Sequence, residues 1–596
     1  MPHRDDSLRP ATPRLPAAAR GRPPLGDFTL SPRVLLITGL AVAVGGAATL
    51  TALALLRLIA LITNLVFYQR ADTDMVAPGL HHHSVLLVLG APIAGGLIVG
   101  LMARYGSEKI RGHGMPEAIE AILVGGSRVQ PRVAVLKPVS AAVSIGTGGP
   151  FGAEGPIIMT GGAVGSILAQ GLRLSADERK TLLVAGAAAG MAATFNSPLA
   201  AILLAVELLL FEWRPRSLVP VTAAVCVAAI ARGPLLGTSA LFPVHTGDVH
   251  LAAGTQALCL VSGATGGLLA VAATWLVYRA EDGFARLPVH WMWWPAIGGA
   301  IIGLGGLVEP RALGVGYDVI RQLLTGRATL SLIAGILVVK TLIWSLSLGS
   351  GTSGGVLAPV FMIGGALGAL EGHVLPSVFP GFWAMMGLAA VVGGVMRSPL
   401  TGVVFTLELT HAWSVLLPLV IAATSAYAVS ALLLKRSVLT EKIARRGLHL
   451  TREYSTDPLE TFFARDVMDD GAVVLDAAGA VDAARLGDQS LFPVTDGGRL
   501  AGVATRRALG DGRTPGDVMT ADPVVVRDDD TLRHVASVFA AHGVTRAPVV
   551  DHADPERVLG VIALRDLLKA RLFDLTEEHH RERHLGPRSR RFAHSR

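Results

Sequence analysis

Long apolar stretches recur along the chain from about Val34 to Leu434, the first reading RVLLITGLAVAVGGAATLTALALLRLIALITNLVF. Each is long enough for a helix to cross the roughly 30 Å hydrocarbon core of a bilayer. The pattern predicts a polytopic, all-α membrane protein. Glycine-proline clusters interrupt it at GHGMPEAI (112–119), GAEGPIIM (152–159) and GGVLAPVF (354–361), which read as three starts of short helices. Glycine permits unusual backbone angles and proline is at home in a first helical turn. Near KRSVLTEKIARRGLHLTREYSTDPLETFFARDVM the apolar runs stop and charge rises. Beyond that break an α/β module is expected over residues 448–575, followed by a basic tail, 576–596.

The membrane part repeats itself. GPIIMTGGAVGSILA (155–169) resembles APVFMIGGALGALEG (358–372), with Pro156 and Pro359, and Gly161 and Gly364, each 203 apart (359 − 156; 364 − 161). Lys137 and Lys340 keep the same spacing, while Pro198/Pro399 and Glu207/Glu408 are 201 apart (399 − 198; 408 − 207). Two repeats, about 34–235 and 250–440, follow within a domain of residues 34–447. Inverted repeats of broken helices place a transport site where the repeats meet.

Composition agrees: 51% of residues are hydrophobic and 16% charged, against about 25% charged in soluble domains. Residues 1–33 carry Arg4, Arg9, Arg14, Arg20, Arg22 and Arg33 and lack the pattern of a signal peptide. The positive-inside bias then places the N-terminus in the cytoplasm, and the tail RERHLGPRSRRFAHSR is also basic. The net charge of +7 sits largely at these ends and reads as lipid contact rather than nucleic-acid binding. Cys226 and Cys259 have neither disulfide nor metal-ligand spacing. No catalytic and no metal-binding residues are expected.

Each helix start exposes unpaired N–H groups and the positive end of a helix dipole. Several such ends converging suit an anion. Glu154, between glycines in one of them, is a buried acid whose charge those ends would compensate.

These motifs resemble those of the CLC family of chloride channels and anion/proton exchangers: GHGMP is similar to its G-S-G-I-P, GAEGP to G-[KR]-E-G-P, and GGVLAP to G-x-F-x-P. The resemblance covers roughly residues 34–447 and implies an inverted repeat of tilted, broken helices, a homodimer of two independent pores, and a multi-pass protein of the cell membrane carrying chloride or another small anion. It implies a central anion site from the amides of Val356 and Leu357, with His113 and Gly114, and an outer one around Ala153, Glu154 and Gly155. Ionised Glu154 would occupy the anion site and open it when protonated or displaced.

Three positions depart from the family. Its central serine is His113 here, an imidazole that donates when neutral and adds charge when protonated. Its central tyrosine is Leu439. The inner proton-transferring glutamate is Leu208; the neighbouring Glu207 has a repeat counterpart in Glu408, so a structural part (capping, or ion pairing with Lys137 and Lys340) is the plainer account. Passive conduction gated by Glu154, as in voltage-gated chloride channels, is favoured over chloride/proton antiport.

Residues 465–510 and 516–570 resemble two CBS motifs, each with D-V-M, a strand, a helix, P-V, a strand and a helix. Such pairs often bind adenine nucleotides. Here Thr505 keeps the phosphate-binding hydroxyl of one copy and Asp566 the ribose-binding acid of the other, which weakens any such site. An intramembrane metalloprotease would need H-E-x-x-H, which the sequence lacks, and His81-His82-His83 reads as a polar loop. A CBS-linked cation channel would want more acids than Glu154, Glu207 and Glu408 inside the apolar tracts.

Overall fold

In the computed structural model the described residues are 30–572, apart from 173, 248–250, 449–456, 483, 485, 512 and 570. The basic N-terminal segment is thus almost wholly, and the basic tail wholly, outside the described residues. The chain divides between Arg452 and Glu453 into two units.

Seven helices of the first unit, among its described residues, are long and apolar enough to cross a membrane, beginning with Arg33–Tyr68 and Val85–Tyr105. Short helices lie between them. Met115–Leu123 follows Gly112 and Gly114, whose φ angles of 81° and 87° turn the chain as only glycine does readily. Glu154–Gly171 and Leu357–Glu371 each carry a proline two residues into the helix, at Pro156 and Pro359. The sequence pattern predicts these three starts. A fourth, unforeseen, opens the helix Tyr317–Leu324 after Gly314 and Gly316, with φ of 66° and 84°. It is the repeat counterpart of the first: Gly314 and Gly316 stand 202 positions after Gly112 and Gly114 (314 − 112; 316 − 114).

Equivalent residues of the repeats bond reciprocally, as a two-fold axis requires. Gly355 N–H donates to the Gly152 carbonyl at 2.8 Å and Gly152 N–H to that of Gly355 at 3.3 Å. Glu408 accepts the N–H groups of Leu199 and Ala200, at 3.0 and 2.8 Å, at the start of helix Pro198–Leu204. Glu207 accepts Thr401 N–H at 3.0 Å, at the start of Pro399–Thr410, and the Thr401 hydroxyl at 2.5 Å. Each glutamate therefore caps the other repeat's helix.

Of the two structural parts expected for these glutamates, capping is the one found, and ion pairing with the lysines is not. Lys137 Nζ donates instead to the carbonyls of Ile110 and Gly112, at 2.8 and 2.7 Å, and Lys340 Nζ to those of Ala312 and Gly314 at the same two distances. The reason is steric and electrostatic together. Positive-φ glycine turns point carbonyls inward that no helix satisfies, and a buried ammonium with several donors answers two of them at once.

In the second unit, β1 (Leu475–Asp476) pairs parallel with β2 (Leu491–Asp496), which forms a hairpin with β3 (Arg499–Thr505). After the short β4 (Thr520–Ala521), β5 (Val526–Arg527) pairs parallel with β6 (Arg546–Val550), and β6 antiparallel with β7 (Val558–Ala563). Both hairpins shift register at one place, after Val494 and after Val549.

Two expectations fail here. The helix Leu532–His542 of the second copy has no α-helical counterpart between β1 and β2 among the described residues. The reason is length: β1 and β2 are joined by residues 477–490, whereas β5 and β6 are joined by 528–545. The D-V-M segments are also exchanged. β4, which continues the second of them, pairs with β3 of the first copy. Asp469, which continues the first, exchanges backbone hydrogen bonds with Val561 of β7 at 2.9 and 3.1 Å.

Candidate functional site

Three of the helix starts meet at one place. The reciprocal Gly152–Gly355 bonds join the second loop to the third, and Gly354 N–H donates to the Gly112 carbonyl at 3.5 Å, joining the third to the first. Ser140 Oγ donates to Ser353 Oγ at 3.1 Å and anchors the third loop to helix Pro131–Gly146. The approach leaves no room for side chains. A Cβ on Gly114 would stand 2.7 Å from the Gly155 carbonyl oxygen, and one on Gly155 would strike that of His113.

What converges is a set of backbone N–H groups. The first residues of a helix have no intrahelical acceptors, and Pro156 and Pro359 carry no N–H, so Ala153, Glu154 and Gly155 on one side and Val356, Leu357 and Ala358 on the other are the donors. Glu154 is fully buried. Its Oε1 accepts the Ala358 N–H at 3.1 Å, and Oε2 is buried without a hydrogen-bond partner. The carboxylate folds back over Gly152 and Gly355, where any Cβ would collide with it. It therefore lies against the N-terminus of the opposite repeat's helix. Ala358 was missed by the sequence reading; its only signal is its place one residue beyond Leu357 in a helix already singled out.

The inner surroundings are richer in charge than the sequence suggests. His113 is 3% exposed and its Nδ1 has no partner. Gly114 N–H donates to Glu117 at 2.9 Å, and Glu117 in turn pairs with Arg446 at 2.7 Å. Lys442 Nζ hangs over Gly112, 2.9 Å from where a Cβ would be. Glu117, Lys442 and Arg446 line a cavity of about 570 Å³ together with Arg111 and Trp294. The Arg111 guanidinium stands over the Trp291 and Trp294 rings, 4.6 and 5.6 Å from their centroids.

Leu439 is fully buried in the first turn of Val438–Arg445, a helix capped by Ser437. The Tyr278 hydroxyl donates to the Val438 carbonyl beside it. Leu208 is buried on the π-helical turn Ala205–Leu210. In the second unit, Thr505 ends β3 exposed, its hydroxyl accepting Ala508 N–H at 3.4 Å. Asp566 accepts Ala563 N–H at 2.8 Å and pairs with Lys569 at 2.9 Å, so both its oxygens are engaged.

The family model for voltage gated chloride channels matches residues 95–431, more than half of the chain and both groups of glycine-led helix starts. The chain belongs to that family. The model for CBS domains matches residues 516–572, the second copy only. Among CLC relatives, a voltage-gated ClC-type chloride channel ClcB of Citrobacter koseri is 30% identical over 388 residues, 63% of this chain and 92% of that protein. An H(+)/Cl(-) exchange transporter ClcA of the same organism is 32% identical over 339 residues, 53% of this chain and 69% of that one. A solved slow cyanobacterial Cl-/H+ antiporter shares the fold with a TM-score of 0.59 and 23% identity over 70% of this chain and 99% of its own. A eukaryotic CLC transporter matches 90% of this chain and 98% of its own, with a TM-score of 0.58 and 20% identity.

Proposed function

We propose that this protein lets chloride or another small monovalent anion run passively through a site made of backbone N–H groups, with Glu154 as a movable competitor for that site. The observation that carries the reading is the Glu154 carboxylate held on Ala358 N–H among three converging loops. Helix N-termini accept an anion without a full counter-charge, so carboxylate and permeant ion are alternatives for one place. Protonation, or an incoming anion, releases the side chain and opens the path. His113, with an unpartnered ring nitrogen, is a donor to the anion from the inner side.

A proton-coupled exchanger is the second reading, because relatives bear that name. Against it stand the buried Leu208 and the engagement of Glu207 on Thr401, which leave the inner proton path without its carboxylate. We place the protein as a homodimer in the cell membrane with both ends cytoplasmic. No adenine nucleotide is assigned to the C-terminal pair, since Asp566 is spent on its own turn.

Chloride efflux from vesicles clamped with potassium and valinomycin, recorded together with a pH electrode, tests the proposal. Downhill chloride loss without proton movement is expected. Uphill proton uptake driven by a chloride gradient would restore the exchanger.

A further inference from the structure

Tyr317 opens the fourth glycine-led helix, the counterpart across the repeat of the one behind His113. Its ring packs edge-on against Phe195 (centroids 6.5 Å apart, 78°) and Phe242 (5.9 Å, 64°). From Phe195 the aromatic contacts run through Phe405 to Phe361, at 5.2 and 4.9 Å, and Phe361 lies on the helix whose Ala358 N–H holds Glu154. Inside this apolar nest the phenol oxygen is buried and has no hydrogen-bond partner. Such a group costs ~1–3 kcal/mol unless something answers it. Glu154 Oε2 is also buried and unpaired, and it lies within electrostatic reach of the phenol. Tyr317 also lines a cavity of about 80 Å³ with Thr63, Ala77 and Asp318.

We propose that the Tyr317 hydroxyl is the receiving station for the Glu154 carboxyl when it leaves the anion site. The gate then moves between two donors, Ala358 N–H when closed and Tyr317 O–H when open. The inference rests on the gating reading above. A phenol donates to a carboxylate and accepts from a carboxylic acid, but the bond to the ionised form is the stronger. The station therefore holds the gate open without protonation, in competition with the amides. Other charged groups around the two side chains are already engaged. Lys340, which faces Glu154 and Asp318, is tied to two carbonyls, and Asp318 pairs with Arg311 at 2.7 Å. On the inner side Lys137 is likewise tied to carbonyls, and His113 lies across Gly155.

The test is a double-mutant cycle in the full-length protein, with chloride efflux recorded from pH 4.5 to 8 for wild type, Tyr317→Phe, Glu154→Ala and the pair. Tyr317→Phe removes one oxygen and keeps the ring in its packing. Its efflux at pH 7 is expected to fall roughly three- to tenfold, the population change of one ordinary hydrogen bond, and to recover as the medium is acidified. In the Glu154→Ala background the same change should do nothing. A Tyr317→Phe efflux equal to wild type at every pH overturns the station, as does a fall of the same factor in both backgrounds. Glu154→Ala efflux identical to wild type overturns the gating reading itself, and the station with it.

Discussion

The two repeats of the membrane unit use one framework and put different chemistry on it. Lys137 and Lys340 hold equivalent pairs of loop carbonyls, Glu207 and Glu408 cap each other's helices, and Gly152 and Gly355 bond to one another. At the functional positions the halves part company. Glu154 stands 203 residues before Leu357 (357 − 154), so one half offers an acid where the other offers an alkyl group. His113 follows the first positive-φ glycine of its turn, and Val315 follows the equivalent glycine, Gly314. Backbone geometry obeys the two-fold relation and side-chain function breaks it. On the proposed function both are needed: symmetry to close a site out of two halves, and asymmetry to give that site one gate.

This contrast can be broken at several points. The largest effect is expected from Lys137→Met and Lys340→Met. Lys340→Met leaves the carbonyls of Ala312 and Gly314 without their donor, and Lys137→Met leaves that of Ile110 bare and that of Gly112 with only its 3.5 Å bond from Gly354. At ~1–3 kcal/mol per unsatisfied carbonyl, both variants should lose most of the monodisperse protein in size-exclusion chromatography. A large loss for one and none for the other would end the claim of equivalent scaffolds. Next comes the asymmetric pair. Glu154→Gln should raise chloride efflux at neutral pH by about tenfold, equivalent to ~1.4 kcal/mol of relieved competition. Leu357→Met, a swap that conserves volume, should stay within about twofold of wild type.

Smaller again are the caps. Glu207→Gln and Glu408→Gln should each lower stability in detergent by ~1 kcal/mol through loss of a charge-assisted bond, read as similar drops in melting temperature, with downhill chloride flux retained. A selective loss of proton-coupled flux in Glu207→Gln would instead make it a relay. The smallest effect belongs to the second unit. Asp566→Ala should cost about 1 kcal/mol as a lost cap and Thr505→Ala less than about 0.5 kcal/mol as an exposed position, both read by urea unfolding.

Much of this was legible in the sequence because glycine and proline mark backbone geometry directly. Pro156 and Pro359 announce helix starts, and the 203-residue offset ties the halves together before any coordinates. The Gly314–Gly316 start was hidden because Asp318 follows where the first copy has Pro116, so the proline signal is absent. Partners were harder to read than roles. Equivalence between Glu207 and Glu408 suggests a structural part, but only the fold shows that each reaches across to the other half. The bond from Gly114 N–H to Glu117 was hidden for a related reason: it depends on where Glu117, three residues on, turns its carboxylate. In the second unit the residues that continue the D-V-M segments attach to the opposite copy, an exchange that no local pattern encodes.

The mutual bonds of Gly152 and Gly355 also bear on how the protein is made. Roughly two hundred residues separate the two partners in the chain, a very non-local contact of the kind that forms late. During synthesis the first half therefore enters the bilayer with its seam unzipped and Gly152 still without its partner across the repeat. A nascent chain halted anywhere before the second glycine loop has no complete ion path, however well its own helices insert. Assembly of the path is thus a checkpoint that only a chain carrying both glycine loops passes.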